Sequence, residues 1–245
     1  MHRNPGEIYS SKYFDGQADG SARSAATVVP LVLSIFPAKS VVDVGCGVGT
    51  WAAEFLARGV QDVWAVDGDY VDRTRLRIPQ ECFHARDLKS PLQIGRSFEL
   101  AVCLEVGEHL PESRASGLVA DLTCLAPCVL FSAAVPHGGG TGHINEQYLP
   151  YWVKLFEAHG FQGMDAIRPW ILGNDSVEWF YQQNIVMFAA PQHPLLAKGF
   201  PKPQTIIHEE LFEQFRRPKL TLKMIATGLP GAILRSLRYH LNQRK

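Results

Sequence analysis

Apolar residues gather along this chain in short runs that close on glycine, proline or an acid. Val41–Asp43, Val63–Asp67, Cys82–Ala85, Leu100–Leu104, Val129–Ala133, Gln162–Ile167 and Ile185–Ala190 have the length and apolar character of strands. Between them, apolar positions at helical spacing predict helices over Ser21–Ile35, Trp51–Arg58, Glu112–Leu125 and Tyr148–His159. Strands alternating with helices form an open α/β sheet. The stretch Lys89–Phe98 is too short for a crossover helix with its loops, so one crossover is reduced to a turn. The residues up to Gly20 read as a polar arm whose Tyr13-Phe14 pair either folds over a ligand or packs two aromatics on the core.

The first strand runs into Val41-Val-Asp-Val-Gly-Cys-Gly-Val-Gly-Thr-Trp51, a glycine turn followed by a helix start. Glycine at 45, 47 and 49 lets the backbone approach a ligand closely, and the helix start offers unpaired N–H groups. A nucleotide phosphate loop needs Lys and Ser or Thr after its last glycine, whereas Gly49 is followed by Thr50-Trp51. A dinucleotide fingerprint would place its third glycine at Thr50, and Asp43 would repel a pyrophosphate. S-adenosylmethionine carries an ammonium and a sulfonium there, and Asp43 attracts both. Asp67, with Gly68, closes the second strand ~20 residues on, the spacing at which a carboxylate meets ribose hydroxyls. Asp87-Leu88 after the third strand suits an adenine amino group and ring face, and the fourth strand runs into Glu105-Val-Gly-Glu-His-Leu110.

Taken together, Asp43–Gly49, Asp67, Asp87-Leu88 and Glu105–Leu110 resemble the class I S-adenosylmethionine-dependent methyltransferases. Gly139–Gln147, Tyr151-Trp152, Ile167–Trp170 and Trp179–Asn184 are similar to a subgroup that modifies bacterial glycans and sugars. The resemblance implies a Rossmann-like seven-stranded, mostly parallel sheet with an antiparallel last strand and helices on both faces. It implies a donor site of Asp43, Gly45, Cys46, Gly47, Gly49, Asp67, Gly68, Asp87, Leu88, Glu105 and Val106. The methyltransferase domain is expected over residues 1–192, with a proline-punctuated linker and basic helical tail over 193–245.

Composition narrows the partners. The chain has 24 Lys and Arg against 24 Asp and Glu, so no general pull toward nucleic acid exists. Five cysteines, with Cys46 in the glycine turn, describe neither a disulfide framework nor a zinc spacing. With no apolar leader and no spanning run, a cytoplasmic protein is expected. The tail suits peripheral contact with the anionic inner face of a membrane, or packing as a helical appendage.

A hydroxyl acceptor must lose its proton during attack, and imidazole is the natural base near neutral pH. His143, in a glycine-rich loop beside Asn145 and Glu146, is the first choice of base; His109 and His137 are the others. Asn145 also suits a cap for the helix near Gln147. Trp152, Trp170 and Trp179, with Phe180, Tyr181 and the amides up to Asn184, suit a sugar ring and its hydroxyls. The substrate set is His137, Asn145, Trp170 and Trp179, and the expected reaction is methylation of a sugar or glycan hydroxyl. A small aromatic, quinone or amine acceptor, or a non-enzymatic binding module, remain alternatives. No carboxylate and histidine cluster is visible in the spacing, so no metal is expected.

Overall fold

The computed structural model describes the backbone of residues 11–216 and the side chains of 20–213. The side chains of Tyr13 and Phe14 and the basic segment beyond Arg216 therefore lie outside the described residues. Helix α1 (Ser11–Ile35) begins at Ser11 rather than Ser21. Once a helix is nucleated each further residue adds a hydrogen bond, so the polar stretch extends it without an apolar stripe. Strand β1 (Ser40–Val44), helix α2 (Thr50–Ala57), strands β2 (Asp62–Asp67), β3 (Phe83–Ala85) and β4 (Leu100–Leu104) follow. Helix α3 (Glu112–Leu125), strand β5 (Cys128–Ser132), helix α4 (Leu149–Ala158) and strand β6 (Gln162–Met164) come next. The short helices α5 (Arg168–Ile171) and α6 (Trp179–Asn184) precede strand β7 (Val186–Ala189). No helix joins β3 to β4, as the short spacing required.

The seven strands lie in the order β3-β2-β1-β4-β5-β7-β6, with β7 antiparallel to both its neighbours. This is the expected Rossmann-like seven-stranded, mostly parallel sheet with its last strand antiparallel. Its register puts Val42 beside Trp64 and Ala101, and Asp43 beside Ala65 and Val102. The chain reverses its direction of travel across the sheet between β1 and β4, and ligands of such sheets bind outside the strand ends at that point.

Strand alternation sorts the core into two layers. Val41, Leu100, Val102 and Leu104 face Val28, Val29, Val32 and Phe55 of α1 and α2. Val42, Ala101, Cys103 and Phe131 face Leu118, Leu122, Trp152 and Phe156 of α3 and α4. Phe156 and Phe188 stack with centroids 3.8 Å apart. Each such fully buried side chain contributes about 1.5–3 kcal/mol relative to exposure.

The strand expected over Gln162–Ile167 stops at Met164, because Asp165 turns to pair with Arg168 and its N–H donates to the Pro201 carbonyl. Residues 193–208, expected as linker, pack on the first compact unit, which runs to His208. Leu195 is buried there, and the His208 N–H donates to Gln183 Oε1 at 2.7 Å. Residues 209–245 form a second unit, of which helix α7 (Glu209–Arg216) is described. No helix among the described residues is long and apolar enough to cross a membrane.

Candidate functional site

The glycine turn joins β1 to α2 with Gly45, Gly47 and Gly49 all at positive φ, a region side-chain-bearing residues rarely enter. Space demands the first of them as well. A Cβ on Gly45 would stand 2.3 Å from Val106 Cγ2, so the turn lies directly against the end of β4. Asp67, at the end of β2, clamps the turn from the other side. It accepts hydrogen bonds from the Gly47 N–H at 2.7 Å, the Gly68 N–H at 2.6 Å and the Tyr70 hydroxyl at 2.5 Å. An ionised carboxylate offers about four acceptor positions, so about one is left for a ligand.

Asp43 lies beneath the turn, 3% exposed, with Oδ2 lacking a hydrogen-bond partner among the described residues. Burial pushes its carboxyl up to about 7; the Ala52 backbone N–H offsets part of this and the Asp67 charge adds to it. Burial likewise raises Asp67, against its three donors. Since the folded Asp43 holds its proton more tightly than the unfolded chain, whose value is near 3.8, its contribution is complete below that pH. It is lost as pH rises through about 7. Wild type is therefore expected to lose melting temperature between about pH 4 and pH 7, and Asp43→Asn to flatten that fall. A parallel pair of melting curves across that range would contradict the assignment.

Cys46 is a buried turn residue whose thiol is pushed up by burial and by both acids, so it is unreactive. Asp87 is exposed and accepts the Lys89 N–H, closing its own turn. Leu88 is buried in the second core layer, and its carbonyl accepts from Arg114 Nε.

Beyond β4 the chain makes a tight turn over Gly107–His109. Glu105 holds φ +55°, and burial raises its carboxyl to about 7, with the Ser132 hydroxyl and the Asn184 amide drawing it down. Glu108 is fully buried, and neither carboxyl oxygen has a hydrogen-bond partner among the described residues. Burial, then the Glu105 charge, pushes its carboxyl far above the carboxylate range, with the backbone at Glu108 and Ala134 drawing it down a little. Burial and the neighbouring His143 lower His109 to about 4, which keeps that imidazole neutral.

The loop after β5 folds back over this turn. Glu146 accepts the His137 backbone N–H at 2.7 Å and pairs with His143 Nδ1 at 2.9 Å, so one carboxylate closes the loop and orients the imidazole. The His109 and His143 rings meet edge to face at 4.8 Å. One donor atom each from Glu108, His109 and His143 lies within 4.8 Å of the others. The carboxylate and histidine cluster that the spacing does not reveal is thus built by the fold.

A cavity of about 140 Å³ opens here, lined by Ser21, Glu105, His109 and His143 on one side. Trp179, Phe180, Tyr181, Gln183 and Asn184 of α6 supply the other. Several expected substrate residues fall elsewhere. Trp170 is 71% exposed, outside the cavity lining, because its short helix buries Arg168, two residues away on the opposite face. Asn145 points inward, its Nδ2 on the Gly107 carbonyl and its Oδ1 accepting from Gln147; it does not cap α4, whose cap is Tyr148. His137 has an exposed side chain outside the lining and serves through its backbone. Trp152 is a core residue against Phe131, and Gln182 is spent on the 173–177 loop.

Sequence reasoning missed Ser21 and Tyr70. Ser21 reaches the cavity from α1, its hydroxyl 3.3 Å from that of Tyr181, which also accepts the Trp51 indole N–H. Arg168 was missed too: buried, it holds both oxygens of Asp165 and the Gln183 carbonyl, fixing α6 against the sheet. The partner of Ser21 lies far along the chain, whereas Tyr70 and Arg168 hold acids three residues before them, a spacing that by itself marks no site.

Residues 17–127 match a sequence family described as a methyltransferase domain. No curated protein sequence matches the chain. Among solved structures, the sugar N-methyltransferase KedS8 from Streptoalloteichus superposes with a TM-score of 0.59 at 14% identity, covering 78% of this chain and 95% of its own. CalS10, an amino pentose methyltransferase from Micromonospora echinaspora with SAM bound, gives 0.54 at 16% identity, over 77% and 99%. The magnesium protoporphyrin IX methyltransferase of Synechocystis, also with bound SAM, gives 0.51 at 19%, over 75% and 88%. At these identities the likeness is one of fold.

Proposed function

We propose that the protein is an S-adenosylmethionine-dependent methyltransferase whose acceptor is a hydroxyl, most simply that of a sugar or glycan. The observation that carries this reading is the glycine turn clamped between Val106 and Asp67 over the buried, half-satisfied Asp43, opening beside a polar cavity. The matching methyltransferase domain and the SAM-bound proteins of the same fold support it. The residues present fit the donor: glycine lets the turn lie directly against Val106, and buried Asp43, with Oδ2 unpartnered among the described residues, offers an acid to a cationic ligand. Bound there, S-adenosylmethionine supplies a methyl group made electrophilic by its sulfonium.

The protein's own contribution is alignment and proton handling. Aromatic faces at Trp179 and Phe180 stack an acceptor ring while Ser21, Gln183 and Asn184 hydrogen-bond its hydroxyls. His143, oriented by Glu146, takes the hydroxyl proton as attack begins, and neutral His109 stands beside it.

Calorimetry with S-adenosylmethionine and transfer of labelled methyl to a panel of sugars, nucleotide sugars and amines test this. Absence of donor binding at millimolar ligand overturns the reading, and transfer to amines alone overturns the acceptor. His143→Ala is expected to lower kcat about 10²–10⁴-fold with donor affinity unchanged. Equal loss of donor affinity would place His143 in the donor site instead.

A further inference from the structure

The floor of the acceptor cavity carries donor atoms that hydroxyl recognition alone leaves unused. Glu108 is fully buried with both carboxyl oxygens unpartnered among the described residues, an expensive arrangement for a polar group unless something ligates it. One donor atom each from Glu108, His109 and His143 lies within 4.8 Å of the others. Glu105 lines the cavity alongside them. The support around the set is also that of a ligand site. Glu146 holds His143 Nδ1 at 2.9 Å, the carboxylate–imidazole arrangement that fixes ring orientation and strengthens a ligating histidine. Opposite, a Cβ on Gly140 would stand 2.2 Å from His143 Cε1 and Nε2, so glycine keeps that ring edge clear of a side chain.

We infer that Glu108, His109 and His143, with Glu105 beside them, form a site for one divalent first-row transition cation at the base of the acceptor cavity. Two imidazole nitrogens and carboxylate oxygens, with no thiolate in the set, select a borderline cation over a soft one. Two buried acids close together supply carboxylate oxygens to a divalent ion, Glu108 releasing its proton as the ion binds. The inference rests on the proposed methyl transfer and refines one role in it. With the cation bound, His143 would be a ligand rather than the base; the ligated acceptor hydroxyl would give its proton to the Glu105 carboxylate in the same cavity as its oxygen takes the methyl group, the sulfonium leaving as a neutral thioether.

Loss of turnover in His143→Ala is common to a base and a ligand, so metal binding itself must be read. Full-length protein dialysed against chelator is titrated with Co²⁺, whose visible absorption reports nitrogen and oxygen ligation. One saturable equivalent is expected, with affinity falling at least about 100-fold in His109→Ala, in His143→Ala and in the near-isosteric Glu108→Gln. S-adenosylmethionine calorimetry and melting curves on the same samples show that each variant is folded. Absence of saturable Co²⁺ binding, or binding equal in wild type and all three variants, overturns the site. Donor binding without Co²⁺ binding defeats this inference and leaves the proposed function standing; Co²⁺ binding without donor binding does the reverse.

Discussion

Gly45→Val is expected to abolish S-adenosylmethionine binding, with at least about a 100-fold loss of affinity by calorimetry, equivalent to about 2.7 kcal/mol. Two costs act at this position. A β-branched residue held at φ +82° is strained by about 1–3 kcal/mol, and its Cβ would start 2.3 Å from Val106 Cγ2. The turn must move away from β4, and the backbone N–H groups that face the donor move with it. A fall in stability of about 2–4 kcal/mol should accompany the loss. Gly95→Ala is the control. Gly95 also holds positive φ, but a Cβ there meets nothing within 4 Å, so it carries the strain without the collision. Donor affinity should survive Gly95→Ala. Wild-type affinity in Gly45→Val would move the donor off this turn.

Asp67→Ala should be nearly as severe for the donor, about 30–100-fold, and for a different reason. The carboxylate ties the Gly47 and Gly68 N–H groups and the Tyr70 hydroxyl to the end of β2, and its remaining acceptor position is where a ribose hydroxyl would bind. Removing it releases the turn and deletes a ligand contact together. Asp67→Asn keeps one acceptor oxygen and should fall between wild type and Ala. Equal affinity for wild type and Asp67→Ala, measured by calorimetry, would show that β2 does not hold the donor.

The geometry of the glycine turn, proposed to hold the donor, was legible because its causes are local. Positive φ at 45, 47 and 49 strongly favours glycine, and an acid at a strand end sits close to such a turn. The acceptor half was legible only in part. Trp152, Trp170 and Trp179 look equivalent along the chain, yet the first is core, the second is exposed and the third lines the cavity. Asn145 reads as a helix cap and instead holds the Gly107 carbonyl from a distant strand end.

Short-range pattern was enough to place the strands, the glycine turn and the acids at the ends of β1, β2 and β4, because periodicity and backbone conformation depend on neighbours in the chain. It did not reveal that Ser21, Glu105, His143 and Asn184 share one cavity, or that Glu108 and two imidazoles converge beneath it. Those juxtapositions depend on strand order and on two loops folding over the sheet edge. Burial follows from them, and with it the lowered His109 and the raised Glu105 and Glu108. The desolvation that sets those proton affinities exists only once residues far apart in the chain have excluded water together.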